Sequence, residues 1–470
     1  MKSQKYLVDL VLRKGNSLFN LAQFLKTDNG DNYIKASNLV VKNIDLDKAI
    51  GKNYFPKNLT SITFPIYLQG LNLNKTLLWY CSQLKTYSND INKFIAYKQA
   101  FEKYVLTKQY QKALDVLSEV ETVFGMSLWL IESYCLVEEF LEKQTSFSKD
   151  LDDTSLNFYY HFKGKCNTKD PFFSYNKRVC NNLNEAKVDR ESHIYYSYKL
   201  FLSSPTTDEE WKSILLVEGM HSLIDIYITV VNCLQYYFSK SIYEQDRRYF
   251  PKCYQALQGL TCPTCQIMYN ILIGTDEETV EDELFSSFIN AFENNEYKKV
   301  VEIFFSNDSN LCTSFVAYRF VATSLLSLNE APEKTKGLLM NEIVQLLFDI
   351  LRKNEIENLK NSIERLSVLG RALHSFSIHK GICIFLRIVA NNNYFYSIHE
   401  QYNSMEDINL INYELNNDDE ALLPFKCIYC KQSDEHINIL EKSLEMQSVD
   451  SFAYNYYKEA YYRLNILKNI

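Results

Sequence analysis

Glycine and proline are scarce in this chain. Its 470 residues include 12 Gly and 8 Pro. Ordinary usage is roughly 7% and 5%, so each stands at about a third of its usual level. Sheets joined by tight turns need Gly at positive-φ positions. Loops that cradle phosphates with backbone N–H groups need it too. Helices joined by short polar turns need very little. The chain therefore reads as mainly α, with its few Gly residues capping helices. A hydrophobic fraction of 46% is enough to build a core and argues against a disordered chain.

A faint internal echo sharpens this reading. Phe101, Tyr104, Val105, Tyr110, Ala113, Leu114 and Leu117 return 187 positions later as Phe288, Ala291, Phe292, Tyr297, Val300, Val301 and Phe304. Each copy runs as an apolar helix face, a polar break, a Tyr and a second helix. The breaks are Thr107-Lys108-Gln109 and Asn294-Asn295-Glu296. Self-similarity of this kind marks stacked helical hairpins. The expected fold is a helical-hairpin repeat, or α-solenoid-like array. In the first copy Ala113, Leu114, Leu117 and Val120 recur three and four apart, while Asp115 and Glu119 face outward.

The carrying residues Tyr104, Tyr110, Ala113 and Leu117, with Tyr297 in the second copy, resemble the tetratricopeptide-type helical repeat. Repeats of that family place an aromatic in the first helix, then Gly-x-Tyr-x-x-Ala across the turn. Here Lys108 and Asn295 stand where the Gly is expected, and Val300 where the small residue is. The family period of about 34 residues does not run through the chain. The resemblance implies a scaffold that binds a peptide or another subunit in a concave groove. The 35 Tyr and 29 Phe would suit such a groove, since Tyr gives area and a polar tip at low entropic cost. They also suit an AT-rich coding sequence.

Three regions are expected. Residues 1–75 form a basic N-terminal segment, a small α/β module or else irregular helix connections; Leu39-Val40-Val41 and Leu59–Leu68 are β-leaning runs among Gly51, Pro56 and Gly70. Residues 76–330 are the helical-repeat region, and 331–470 a C-terminal helical region. Thr207 to Glu210 predicts a capping box that opens a long apolar helix reaching about Lys240.

Net charge is −8 but uneven. Residues 1–100 hold 14 basic against 6 acidic side chains, and residues 401–450 hold 3 against 11. Such asymmetry can steer a polyanion to one end, although spread charges of this sort chiefly make solvated faces. Met1 to Arg13 has no run fit for a secretory signal. The most apolar stretch, Ile214–Phe238, carries Glu218, His221 and Asp225 and reads as a core helix, not a membrane span. Twelve Cys in this setting point to reduced thiols in the cytoplasm.

Four features carry candidate chemistry. Cys262-Pro263-Thr264-Cys265 and Cys427-Ile428-Tyr429-Cys430 are both C-x-x-C, and four thiolates would hold one zinc if the fold joined the pairs. Their separation is far beyond a finger or ribbon spacing, so buried thiols are the plainer reading. Cys253 would be a third ligand for the first pair. A thioredoxin-like redox role lacks the expected βαβ surroundings. Glu218-x-x-His221-x-x-x-Asp225 places three polar groups on one apolar helix, a structural ion-pair network or an acid/base site. Arg247-Arg248-Tyr249-Phe250 is a small basic-aromatic patch suited to stacking and phosphate contact. Phosphate-loop, dinucleotide, zinc-protease, nucleophile-elbow and kinase motifs are absent.

The expected function is a non-catalytic scaffold or accessory subunit whose partner is another protein subunit or a peptide, with no bound cofactor. One alternative is a nucleic-acid-associated subunit of a microbial machine such as an antiviral defence complex, touching phosphates through its basic N-terminus. The other is an enzyme built around Glu218, His221 and Asp225.

Overall fold

The structure is a computed structural model. It describes residues 17–42, 54–59, 68–168, most of 178–200, 205–219, 221–243, 250–273, 280–306, 315–328, 341–351, 356–373 and 382. Among these the regular elements are helical and no strand occurs. The chain falls into two compact units. The first is Met1–Val105, Gln109–Ser241 and Asp246–Asp276. The second is Glu277–Ile470 with the short pieces Leu106–Lys108 and Ile242–Gln245.

The first unit opens with α1 (Ser17–Thr27) and α2 (Tyr33–Lys42), followed by α3 (Leu73–Thr86), α4 (Ser88–Leu106), α5 (Tyr110–Phe124) and α6 (Leu128–Leu141). It continues through α7 (Asp153–Cys166), α8 (Arg190–Lys199), α9 (Asp208–Glu218), α10 (Leu223–Tyr243), α11 (Pro251–Leu257) and α12 (Pro263–Ile273). The run Leu39-Val40-Val41 lies inside α2, which corrects its reading as β-leaning. Tyr33, Ala36, Ser37 and Val40 are buried at spacings of three, one and three. That is one helical stripe, and it overrides the β-preference of two Val residues.

Helix α3 is the hub: α2, α9 and α11 all pack against it. Ten of its residues are buried, from Leu73 to Leu84, so it is covered all round, as an interior helix must be. Helix α6 is covered likewise, and α5 and α7 pack on either side. The three Trp residues, Trp79, Trp129 and Trp211, are all buried. Phe94 and Phe101 meet Trp129 edge-on at 5.0 and 5.5 Å between ring centres, and Trp211 sits between Tyr198 and Tyr236. Each such ring buries roughly 150–250 Å². Much of the aromatic content is therefore spent on the core.

Two glycines are required by geometry. Gly125 follows α5 with φ +70°, and a Cβ there would lie 2.3 Å from the Pro56 carbonyl oxygen. Gly219 follows α9, and a Cβ there would lie 1.9 Å from the Tyr80 hydroxyl.

The second unit contains α13 (Val280–Glu293), α14 (Tyr297–Ser306), α15 (Phe315–Ser327), α16 (Glu342–Leu351) and α17 (Ile356–Ala372). Each packs on the one before it. Phe320 of α15 also reaches back to α13, stacking on Phe292 at 3.8 Å. The arrangement α13–α14–α15–α16 parallels α4–α5–α6–α7 of the first unit. There Phe94 and Tyr97 of α4 meet Phe124 of α5, and α5, α6 and α7 pack in succession.

The echo is a repeated local structure. Lys108 and Asn295 both take left-handed backbone, with φ 57° and 58°. The N–H of Gln109 donates to the Tyr104 carbonyl at 2.8 Å, and that of Glu296 to the Ala291 carbonyl at 2.8 Å. Lys112 Nζ donates to Gln109 Oε1 at 2.7 Å, and Lys299 Nζ to Glu296 Oε2 at 2.8 Å. Phe101 and Phe288, Ala113 and Val300, and Leu117 and Phe304 are buried pairwise. The same offset also relates the first residues of the third helices, Leu128 and Phe315.

Candidate functional site

The long helix expected from Thr207 to Lys240 is in fact two. The capping box is present, with Thr207 Oγ1 accepting from the Glu210 N–H and the Glu210 carboxylate accepting from the Thr207 N–H at 3.1 Å. Helix α9 ends at Glu218, and α10 starts at Leu223. Between them the Leu223 N–H donates to the Tyr54 carbonyl at 2.9 Å. Glu218, His221 and Asp225 therefore do not share a helix face. One ends a helix, one sits in the bend and one lies in the first turn of the next helix. The break follows from Gly219, whose missing Cβ admits Tyr80, and from the Tyr54 carbonyl, which takes one of the α10 N-terminal donors.

All three residues are buried, and Glu218 anchors a wider polar network. Lys199 Nζ lies 2.6 Å from Glu218 Oε2. Thr229 Oγ1 donates to the same oxygen at 2.6 Å, and the Tyr195 hydroxyl donates to Glu218 Oε1 at 3.2 Å. Lys199 is 8% exposed and Glu218 0%. The His221 ring stacks on Tyr195 at 5.6 Å and meets Phe158 edge-on. A second buried pair, Lys165 with Glu132, touches the first through Lys165 Nζ, which donates to the Lys199 carbonyl at 3.2 Å. Asp225 has a different task. Its Oδ2 accepts from the Leu128 N–H at 2.9 Å and its Oδ1 from the Trp129 N–H at 3.0 Å. With Ser127 Oγ accepting from Leu130, these bonds satisfy the first turn of α6 and place a carboxylate at its positive end.

Electrostatics follow this geometry. Burial alone would lower Lys199, but Glu218 and Asp225 reverse that and hold it above its ordinary 10.5. Burial pushes Asp225 up to about 7, against the pull of Lys199 and the two backbone donors. Burial, then Glu218, pushes the Tyr195 hydroxyl well up. Sequence reasoning missed Lys199, Lys165, Glu132, Thr229 and Tyr195. No periodic signal marks them, because their partners lie on other helices.

The thiols form the second cluster. Cys81, Cys233, Cys253, Cys262 and Cys265 are all buried and free. Cys262 directly precedes α12, and Cys265 lies in its first turn. The Cys262 thiol is held down to about 6 by the neighbouring Cys265, against burial, with Tyr227 and Lys98 acting the same way. The same neighbour, then burial, pushes Cys265 well up. Burial, then the neighbouring Cys253, pushes Cys81 well up. No group of three or more His, Cys, Asp or Glu among the described residues is arranged to hold a metal ion. Cys427, Cys430, Arg247 and Arg248 lie outside the described residues. No helix among the described residues is long and apolar enough to cross a membrane.

Compared with known proteins, the chain matches no family model, no curated protein and no solved structure.

Proposed function

We propose that the chain is a non-catalytic scaffold or accessory subunit that recognises another protein subunit or a peptide through a tetratricopeptide-like helical array. The observation that carries this is the repeated hairpin. The turns of α4–α5 and α13–α14 share a left-handed residue and two equivalent backbone hydrogen bonds, Gln109 to Tyr104 with Ala113 to Gln109, and Glu296 to Ala291 with Val300 to Glu296. In arrays of this kind each hairpin buries one face against its neighbours and contributes a helix to a common outer surface. Shape and apolar complementarity supply affinity there, and charge sets orientation. The twelve cysteines support a reducing compartment such as the cytoplasm.

The enzyme reading is less favoured, because each carboxylate already has structural work. Glu218 neutralises Lys199, and both Asp225 oxygens cap α6. Affinity capture of the tagged full chain, with and without nuclease and followed by mass spectrometry, tests the proposal. The scaffold reading expects a stoichiometric protein partner that survives nuclease. Co-purification lost on nuclease treatment would move the reading to the nucleic-acid-associated subunit.

A further inference from the structure

We propose that the Asp225 carboxylate is a proton-operated latch: on taking up one proton it releases one of its two backbone bonds and loosens the first turn of α6. The proposal is independent of the scaffold reading.

The latch joins distant parts of the first unit. Asp225 lies in the first turn of α10, and its two oxygens accept the Leu128 and Trp129 N–H groups at 2.9 and 3.0 Å. Both donors belong to the first turn of α6, where no earlier helical carbonyl can take them. Trp129 carries the connection further, because its ring meets Phe94 and Phe101 of α4 edge-on. What holds the start of α6 therefore also bears on the packing of α4.

A count of charge shows why this carboxylate takes the proton. Lys165 is paired with Glu132 and Lys199 with Glu218, and all four are buried. Asp225 is 1% exposed. The cation that acts on it is Lys199, whose ammonium lies 2.6 Å from Glu218 Oε2. Two buried carboxylates thus share one ammonium. A buried carboxylate without its own cation neutralises by binding a proton. Glu218 is the less apt of the two, since the Thr229 and Tyr195 hydroxyls donate to it as well. At Asp225 the α6 dipole and two N–H groups favour the charged form. Burial opposes them and leaves the group titrating at about 7. The other titratable groups nearby are Tyr195 of α8, which burial and then Glu218 keep protonated, Tyr80 of α3 against Gly219, and His221 in the bend, stacked on Tyr195.

The ionised carboxylate accepts on both oxygens. The protonated one keeps a single good acceptor, and its O–H is a donor set against an N–H donor. One backbone bond is lost. Ser127 still holds Leu130, so the loosening is confined to the leading residues of the turn.

Native-state hydrogen exchange of the full chain tests this, read by mass spectrometry on peptides spanning 127–131 and corrected for the intrinsic rate, at about pH 8 and about pH 6. Protection there should fall about tenfold at the lower pH, the worth of one hydrogen bond to a charged group, while that of the interior helix α3 does not fall. Asp225→Asn also sets one acceptor and one donor against the two N–H groups, so it should show the low protection at both pH values. Equal protection at the two pH values in the wild type would overturn the proposal, and that reading stands even if the variant fails to fold. A pH change that persists in Asp225→Asn and disappears in His221→Gln would overturn it too, by placing the proton on His221.

Discussion

Asp225 contributes opposite effects at its two ends. Its oxygens stabilise the start of α6, yet burial makes it hold a proton more tightly in the folded chain than in the unfolded one. Between its ordinary value of 3.8 and about 7, the folded state binds the extra proton. Stability from this group therefore falls as pH rises through that window. Asp225→Asn removes the titration, so the wild-type denaturation midpoint minus that of the variant should fall from pH 4 towards pH 7. Lys199 behaves in the same sense at higher pH: its contribution is complete below 10.5 and is lost as pH rises past its elevated folded value. Lys199→Met strands the Glu218 carboxylate in the core and should cost about 3–5 kcal/mol, whereas Lys199→Met with Glu218→Leu should cost much less. A double-mutant cycle by urea denaturation measures the coupling. If the two single losses simply add, Lys199 and Glu218 are not the pair described here. His221, one of the three polar groups of the Glu218–His221–Asp225 motif, contacts the Tyr195 and Phe158 rings in the bend.

At the level of elements, the scarcity of glycine leaves a mark. The turns of both hairpins need left-handed backbone, and they use Lys108 and Asn295 for it. Side chains there carry a strain of roughly 1–2 kcal/mol, part of which Gly would relieve. Asn295→Gly should raise stability by about 0.5–1 kcal/mol in thermal or urea unfolding, and a loss there would mean that the turn is not left-handed at Asn295. Lys108→Gly should instead lose stability, because Lys108 Nζ also lies 3.2 Å from the buried Glu342 carboxylate. The hairpins were legible because local period and turn chemistry agree. The expected apolar stripe Ala113, Leu114, Leu117 and Val120 falls within α5 (Tyr110–Phe124), and the expected polar breaks at 107–109 and 294–296 fall between helices. The break after Glu218 was not legible, because Gly219 acts through Tyr80, a contact from a distant helix. Leu39-Val40-Val41 misled for a related reason: its β-branched composition is local, while the stripe that buries Val40 runs from Tyr33. For the thiols, Pro263 was the available signal that Cys262 precedes a helix.

At the scale of the whole molecule, the described residues put large aromatics and a few charged pairs into internal order. All three Trp are buried, and the Lys199–Glu218 and Lys165–Glu132 pairs lie inside the first unit. The fold class was readable from composition, since few Gly and Pro leave helices as the economical architecture. The polar network was not, because it joins α6, α7, α8, α9 and α10 from positions up to about a hundred residues apart. On the reading proposed above, its surface serves recognition of another protein. That claim is met most directly by the mass of the purified, nuclease-treated particle in light scattering. The chain alone is 55.2 kDa. The account predicts a heavier particle whose mass equals the chain plus a stoichiometric protein partner; a particle at the mass of the chain alone would contradict it.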